Sequence, residues 1–535
     1  MNQVEVKRRQ IEAFAYIIGL AGCIIFGKIL ENGGITYLVV SLECISLLWT
    51  VVSGALPESL GRIIKGRNAR GQYRNAACIR RRAMVVQIIV GAVFGFLCLA
   101  LAEPLAKNFL NIPYSSLIIT VLVPALVLRV ASDVCKGYFL GQGSELPAAV
   151  SAVLRQVLFL GFGLLFIGVL GNYGEKVSRL LGDEAYHSMY RSVGIAVSFG
   201  VTELLVLLFL VIVFIGHWKS AGKQEKEGMK KTESLVDTVR VLYGTRGISV
   251  LLLVLLELPL WMGMVLYRKK ESGIDIFSEN YGAYAGKYLV ICGIAVVIGY
   301  LCLIAANART AGYLRKEDQR YAKSSFLGGF QTGVALTVYM AVFTAMMAGQ
   351  LTGAFYGAEQ KTAESMLKQG SALIVIAVLG LYFGRLLLLT GRKYQLLAAL
   401  GGMDVLFLLL SVILLNVGKC GAYALVYAFL AAGAVFCLVA GFFCCRILRV
   451  GIDWMRLVVI PVGAACAVGL LCMLLGKGLT PHLGNGATAV FAFVLSFAIY
   501  WVILLFLRCF KASDLKTVPG GKLILKVGQA LHIFS

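Results

Sequence analysis

Long apolar runs alternate with short polar ones along nearly the whole chain. A helix that crosses a membrane needs about 20 mostly apolar residues, and runs of that size fall at roughly 12–30, 35–56, 83–103, 115–134, 147–170 and 193–216. A polar, charged stretch from His217 to Arg246 interrupts the pattern. Six more runs follow at roughly 247–267, 287–306, 327–350, 369–389, 396–416 and 421–445, and two further ones at 454–475 and 487–507. The pattern predicts an all-α polytopic membrane protein with 14 transmembrane helices. It divides into an N-terminal lobe of six spans (1–216), a linker (217–246), a second lobe of six spans (247–445), and a last section (446–535) with two extra spans and a basic tail. The first run follows Lys7-Arg8-Arg9 in the manner of a signal peptide. Cys23-Ile-Ile-Phe-Gly-Lys28 offers no small-x-small cleavage site, so the run reads as a retained helix.

Composition excludes an ordinary soluble domain: 59% of residues are hydrophobic, 14% are charged, and the mean hydropathy is +0.85. The net charge of +23 is distributed unevenly, with Lys and Arg concentrated in alternate loops. The densest segment, Pro57 to Arg82, holds Arg62, Lys65, Arg67, Arg70, Arg74, Arg80, Arg81 and Arg82 against the single acid Glu58. The positive-inside bias then puts 57–82, the linker, the tail and both termini in the cytoplasm. Basic loops facing anionic lipid head groups account for the charge without any nucleic acid.

Cysteine and histidine add no chemistry. Of 14 cysteines, most lie inside apolar runs, none form C-x-x-C, and they read as small packing residues. Cys420 alone falls in an external turn, where it has no partner for a disulfide. His187, His217, His482 and His532 are scattered, with no zinc spacing and no nucleophile-base arrangement. Neither metal nor cofactor is expected.

Two stretches carry a resemblance. Ser53-Gly-Ala-Leu-Pro-Glu-Ser-Leu-Gly-Arg-Ile-Ile-Lys65 leaves the second span through Pro57 and puts Arg62 and Lys65 on one face of a following helix. Val127-Leu-Arg-Val130 and Gly137-Tyr-Phe-Leu-Gly-Gln-Gly-Ser-Glu-Leu-Pro147 join the fourth and fifth spans. Together they resemble the multidrug/oligosaccharidyl-lipid/polysaccharide (MOP) flippase superfamily, in particular its polysaccharide-biosynthesis, stage V sporulation protein B-like and lipid II flippase branch. The likeness covers the whole chain in layout and helices 1 to 5 in recognisable residues. In lipid II flippases a Leu-Pro precedes paired arginines; here Arg62 takes the second place and Gly61 stands in the first.

The resemblance implies two six-helix lobes facing a V-shaped cavity, with helices 13 and 14 forming a groove for a lipid tail. It implies a monomeric flippase, not an enzyme, in a bacterial cytoplasmic membrane, moving an undecaprenyl-diphosphate-linked saccharide by alternating access. A peptidoglycan precursor is among the candidate cargoes. Multidrug and toxic compound extrusion (MATE) transporters usually stop at twelve helices, so fourteen favour a lipid-linked cargo.

Charges inside apolar spans are costly and must be buried in protein or water. Glu43, Arg155, Glu203, Glu257 and Asp404 stand deep, with Arg129, Asp133 and Arg385 nearer the cytoplasmic ends. They read either as structural pairs, such as Arg155 with Glu203, or as functional groups. Glu257 lies two residues before Pro259, which removes a backbone donor and loosens the preceding turn. That setting suits a proton or cation site, H+ or Na+; the other reading is a packing kink with the acid aimed at Arg155. The substrate-binding candidates are thus Arg62, Lys65, Arg129 and Arg155, and the coupling candidates Glu257, Glu203, Glu43 and Asp404. The rival function is a MATE-type cation-coupled antiporter, for which the excess of deep acids over Arg155 speaks. A membrane enzyme is disfavoured by short external loops without clustered carboxylates. Tyr37, Trp49, Trp261, Tyr267, Trp454 and Trp501 read as interfacial anchors and packing.

Overall fold

The computed structural model describes residues 3–227, 232–357, 360–451 and 453–510. The basic tail beyond Phe510, with His532, and Lys230 and Lys231 of the linker lie outside the described residues. Every regular element among the described residues is helical. In chain order they are α1 (Gln3–Ser53), α2 (Leu56–Asn68), α3 (Tyr73–Glu103), α4 (Ser115–Gly141), α5 (Leu146–Leu181), α6 (Ala185–Glu227), α7 (Leu235–Lys270) and α8 (Ile274–Tyr281). The order continues with α9 (Leu289–Arg315), α10 (Gln319–Met346), α11 (Ala348–Tyr356), α12 (Lys361–Gly370), α13 (Leu373–Leu389), α14 (Lys393–Asn416), α15 (Tyr423–Leu448) and α16 (Ile460–Phe506). Short π-helical segments precede α9 and α16 and follow α3.

Eleven helices are long and apolar enough to cross a membrane, or 12 when α12 and α13, bent by 53°, count as one span. Two of these are double: α1 turns at Glu31 (φ 61°) and α16 at Gly484 (φ 74°), left-handed residues inside otherwise continuous helices. Each half is a separate apolar run, so the described residues hold 14 crossings, as the hydropathy pattern predicts. The span expected at 369–389 is the bent pair, whose first half starts earlier, at Lys361.

The described residues form two compact units, one of Lys7–Gly19 and Ile29–Gly282, the other of the residues up to Val6, Leu20–Lys28 and the chain from Ala283. The main break between these units falls after Gly282. The physical reason is α7, which opens with a capping box of Ser234 and Asp237 and stays with the preceding helices. Its Arg246, 1% exposed, donates from Nε to Gly54 O and from an Nη to Val51 O, both at 2.7 Å. Leu242, one turn before Arg246, joins the buried cluster of Leu56, Leu60, Ile64, Ile79, Tyr138 and Leu210.

Candidate functional site

The site in the first unit is organised by the break between α1 and α2. Gly54 N bonds Thr50 O at 3.0 Å, and a Cβ on Gly54 would sit 2.3 Å from that same oxygen. Ala55 then takes a left-handed conformation (φ 55°) and Pro57 starts α2. Two carbonyls freed by this break are the ones Arg246 satisfies. Beyond it, α2 lies against α4 at a close approach of small residues, where a Cβ on Gly141 would come within 2.5 Å of Ile64. Gly61 faces this contact: its Cβ would be 3.0 Å from Leu140 Cβ and 3.2 Å from Gly137 O. Any side chain at position 61 would press on this contact and force its neighbours to give. Arg62 and Lys65 are exposed on the other face, Arg62 donating to Glu58 O at 3.2 Å.

A buried charge cluster lies one layer deeper. Glu203 on α6, 1% exposed, accepts from Arg155 Nε at 2.7 Å and Nη2 at 3.0 Å, a bidentate pair between α5 and α6. Arg129 on α4 donates to the same carboxylate at 3.2 Å. One turn along α4, Asp133 accepts from Lys136 at 3.1 Å and from the hydroxyl of Ser53, and Asp133 also feels the charges of Arg129 and Arg155. Arg129 also acts on Glu257, and Asp133 on Arg246, so four cations face three carboxylates. Arg155 is committed to Glu203; Arg129 is 28% exposed and stacks its guanidinium 5.1 Å above Trp49. Trp49, expected to anchor at an interface, serves here as a platform for a charge.

Glu257 and Glu43 are hydrogen-bonded by hydroxyls, with Arg129 also acting on Glu257 through its charge. Glu257 does not reach Arg155; its Oε1 accepts from Thr50 at 2.7 Å and its Oε2 is buried without a hydrogen bond. The helix continues unbroken through Pro259. Both carboxylate oxygens of Glu43 receive the Tyr281 hydroxyl at 2.7 Å. In the other unit Asp404 on α14 is buried with neither oxygen hydrogen-bonded. Sequence reasoning groups Glu203 with the coupling acids, whereas the structure shows it holding two arginines. It missed Lys136, Trp49, Thr50, Ser53 and Tyr281; the only signal was the i, i+3 spacing of Thr50 and Ser53, which puts two hydroxyls on one face of α1. Among the described residues no group of His, Cys, Asp and Glu is arranged to hold a metal, and the described cysteines are all free thiols.

Fold and site define a class, a multi-pass all-helical membrane protein with ionisable side chains inside its apolar helices. No family sequence profile matches the chain. Stage V sporulation protein B of Bacillus subtilis (strain 168) is 23% identical over 201 residues, 37% of this chain and 36% of that protein, so the match spans about a third of the length of this relative. Among solved structures, the lipid II flippase MurJ in an inward closed conformation superposes with a TM-score of 0.68 at 10% identity, over 93% of this chain and 98% of the other. An inward-facing multidrug resistance MATE family transporter gives 0.60 at 13% identity, over 84% and 98%. The chain shares its fold with MurJ and the MATE transporters.

Proposed function

We propose that the protein is a flippase for a lipid-linked saccharide of the undecaprenyl-diphosphate type, working by alternating access in a bacterial cytoplasmic membrane with both termini inside. The observation that carries this reading is the charge balance of the buried cluster. Counting Glu257, which feels Arg129, and Arg246, which feels Asp133, the cations Arg129, Arg155, Lys136 and Arg246 exceed Glu203, Asp133 and Glu257 by one positive charge, and an uncompensated cation away from water calls for an anion. A diphosphate head group supplies it. Arg129, with its partly open guanidinium on Trp49, is the contact residue; Arg62 and Lys65 on α2 gather the head group first, and Arg155 keeps Glu203 in place beside it.

Glu257 and Glu43 carry the coupling to protons or Na+. Each is hydrogen-bonded by a neutral hydroxyl and, among the described residues, forms no direct salt bridge, although Glu257 feels the charge of Arg129, so each can change charge without breaking a direct ion pair. The same feature supports the second reading, a MATE-type antiporter for organic cations. One assay separates them: vesicles reconstituted with wild-type protein or Arg129→Gln, followed with a fluorescent polyprenyl-diphosphate saccharide and with an organic cation dye. Lipid translocation that falls in Arg129→Gln supports the flippase. Dye efflux with no lipid movement in either protein sinks it.

A further inference from the structure

A second polar site lies in the same unit at the membrane face opposite α2. The end of the first half of α1 at Ile29, the end of α5 and the start of α6 border a partly open cavity of about 520 Å³, within the roughly 300–1,000 Å³ usual for small-ligand sites. Arg191 and His187, four residues apart and so on one face of α6, line it together with Asn172 of α5. Arg191 donates a single hydrogen bond from Nη1 to Ile29 O at 3.1 Å, which fixes the guanidinium at the end of the first half of α1. Among the described residues it has no carboxylate partner, and most of its five N–H donors are unspent. Glu175, half exposed at the rim, pairs with Arg179 outside the lining at 2.6 Å, and Arg191 is the one Lys or Arg side chain that lines the cavity among the described residues. The opposite wall is apolar and opens sideways: Leu164 is 41% exposed, and a Cβ on Gly168 would meet nothing within 4 Å.

A fixed arginine with an amide and an imidazole beside it, over an apolar wall open to the hydrocarbon, matches an amphiphile with an anionic phosphate head. We propose that this cavity binds the phosphate head group of an anionic glycerophospholipid from the leaflet opposite α2, with an acyl chain along Leu164 and Gly168. The occupant is a lipid and not a free ion because the cavity wall continues into lipid-facing surface, which a small hydrated anion would not use. This site is separate from the Arg129 cluster and does not depend on the flippase reading.

The test uses the full-length protein in detergent. Native mass spectrometry would follow retention of phosphatidylglycerol, phosphatidylcholine and inorganic phosphate by wild type, Arg191→Ala and Gly168→Leu. Wild type should retain phosphatidylglycerol in preference to phosphatidylcholine, and millimolar inorganic phosphate should not displace it. Arg191→Ala should weaken retention by roughly tenfold or more, the weight of a charge-assisted contact. Gly168→Leu, which extends into open space, should do the same at an unchanged melting temperature, and it decides the matter alone if Arg191→Ala fails to fold. Equal retention by wild type and Gly168→Leu overturns the site. Displacement by inorganic phosphate overturns its assignment to a lipid.

Discussion

Neutralising Glu203 should show how the buried cluster is held together. Its carboxylate takes three charge-assisted bonds, two from Arg155 and one from Arg129, at 2.7, 3.0 and 3.2 Å, and it is 1% exposed. Glu203→Gln keeps the shape but leaves Arg129, Arg155, Lys136 and Arg246 facing Asp133 and Glu257, so the excess rises from one positive charge to two. Breaking a buried pair from one side costs about 3–5 kcal/mol, and the amide's remaining acceptor places the expected loss near the lower end, about 3 kcal/mol. Arg155→Gln alone leaves Glu203 with Arg129 and should cost less. The double replacement returns the excess to one charge, and most of the stability should return with it. A double-mutant cycle on thermal unfolding in detergent should therefore show a coupling of about 2 kcal/mol or more. The double variant should also keep translocation of the diphosphate lipid, because Arg129 and not Arg155 presents free donors. A Glu203→Gln protein as stable as wild type, or a cycle with no coupling, would refute the account of the cluster as one electrostatic unit.

Four further outcomes follow from the same geometry. Arg246→Ala strips the donors from Val51 O and Gly54 O and should destabilise by about 3 kcal/mol, at about 1–3 kcal/mol for each buried carbonyl left unpaired; unchanged thermal stability counts against its role at the break. Gly61→Ala forces a methyl against Leu140 and Gly137 O and should lower the melting temperature, whereas Gly66→Ala, with open space around it, should not. Replacing Arg62 and Lys65 together by Ala should slow lipid translocation at normal expression, and an unchanged rate would reduce this stretch to a topology signal. Glu257→Gln should fold normally and free transport from its dependence on the ion gradient; retained dependence would move the coupling to another acid.

Much of this protein was decided by local sequence alone. Apolar runs of bilayer length fix the number and order of crossings because the hydrocarbon admits only backbones whose polar groups are paired internally. The spacing of Arg62 and Lys65 fixes their common face because a helix has a fixed period. Deep charges are visible as exceptions for the same energetic reason that makes them rare. What those charges face is a different kind of question. Glu203 meets Arg155 across 48 residues, Thr50 meets Glu257 across 207, and Tyr281 meets Glu43 across 238; such pairings depend on which helices lie side by side and how each is rotated, and no local period encodes either. The same holds for Gly61, which in sequence is only a missing arginine and in the fold is the contact that lets α2 lie against α4. The chain's own pattern thus supplied the membrane-spanning elements and a roster of charged residues, and helix packing decided which acids are tied to bases and which are left free to change charge.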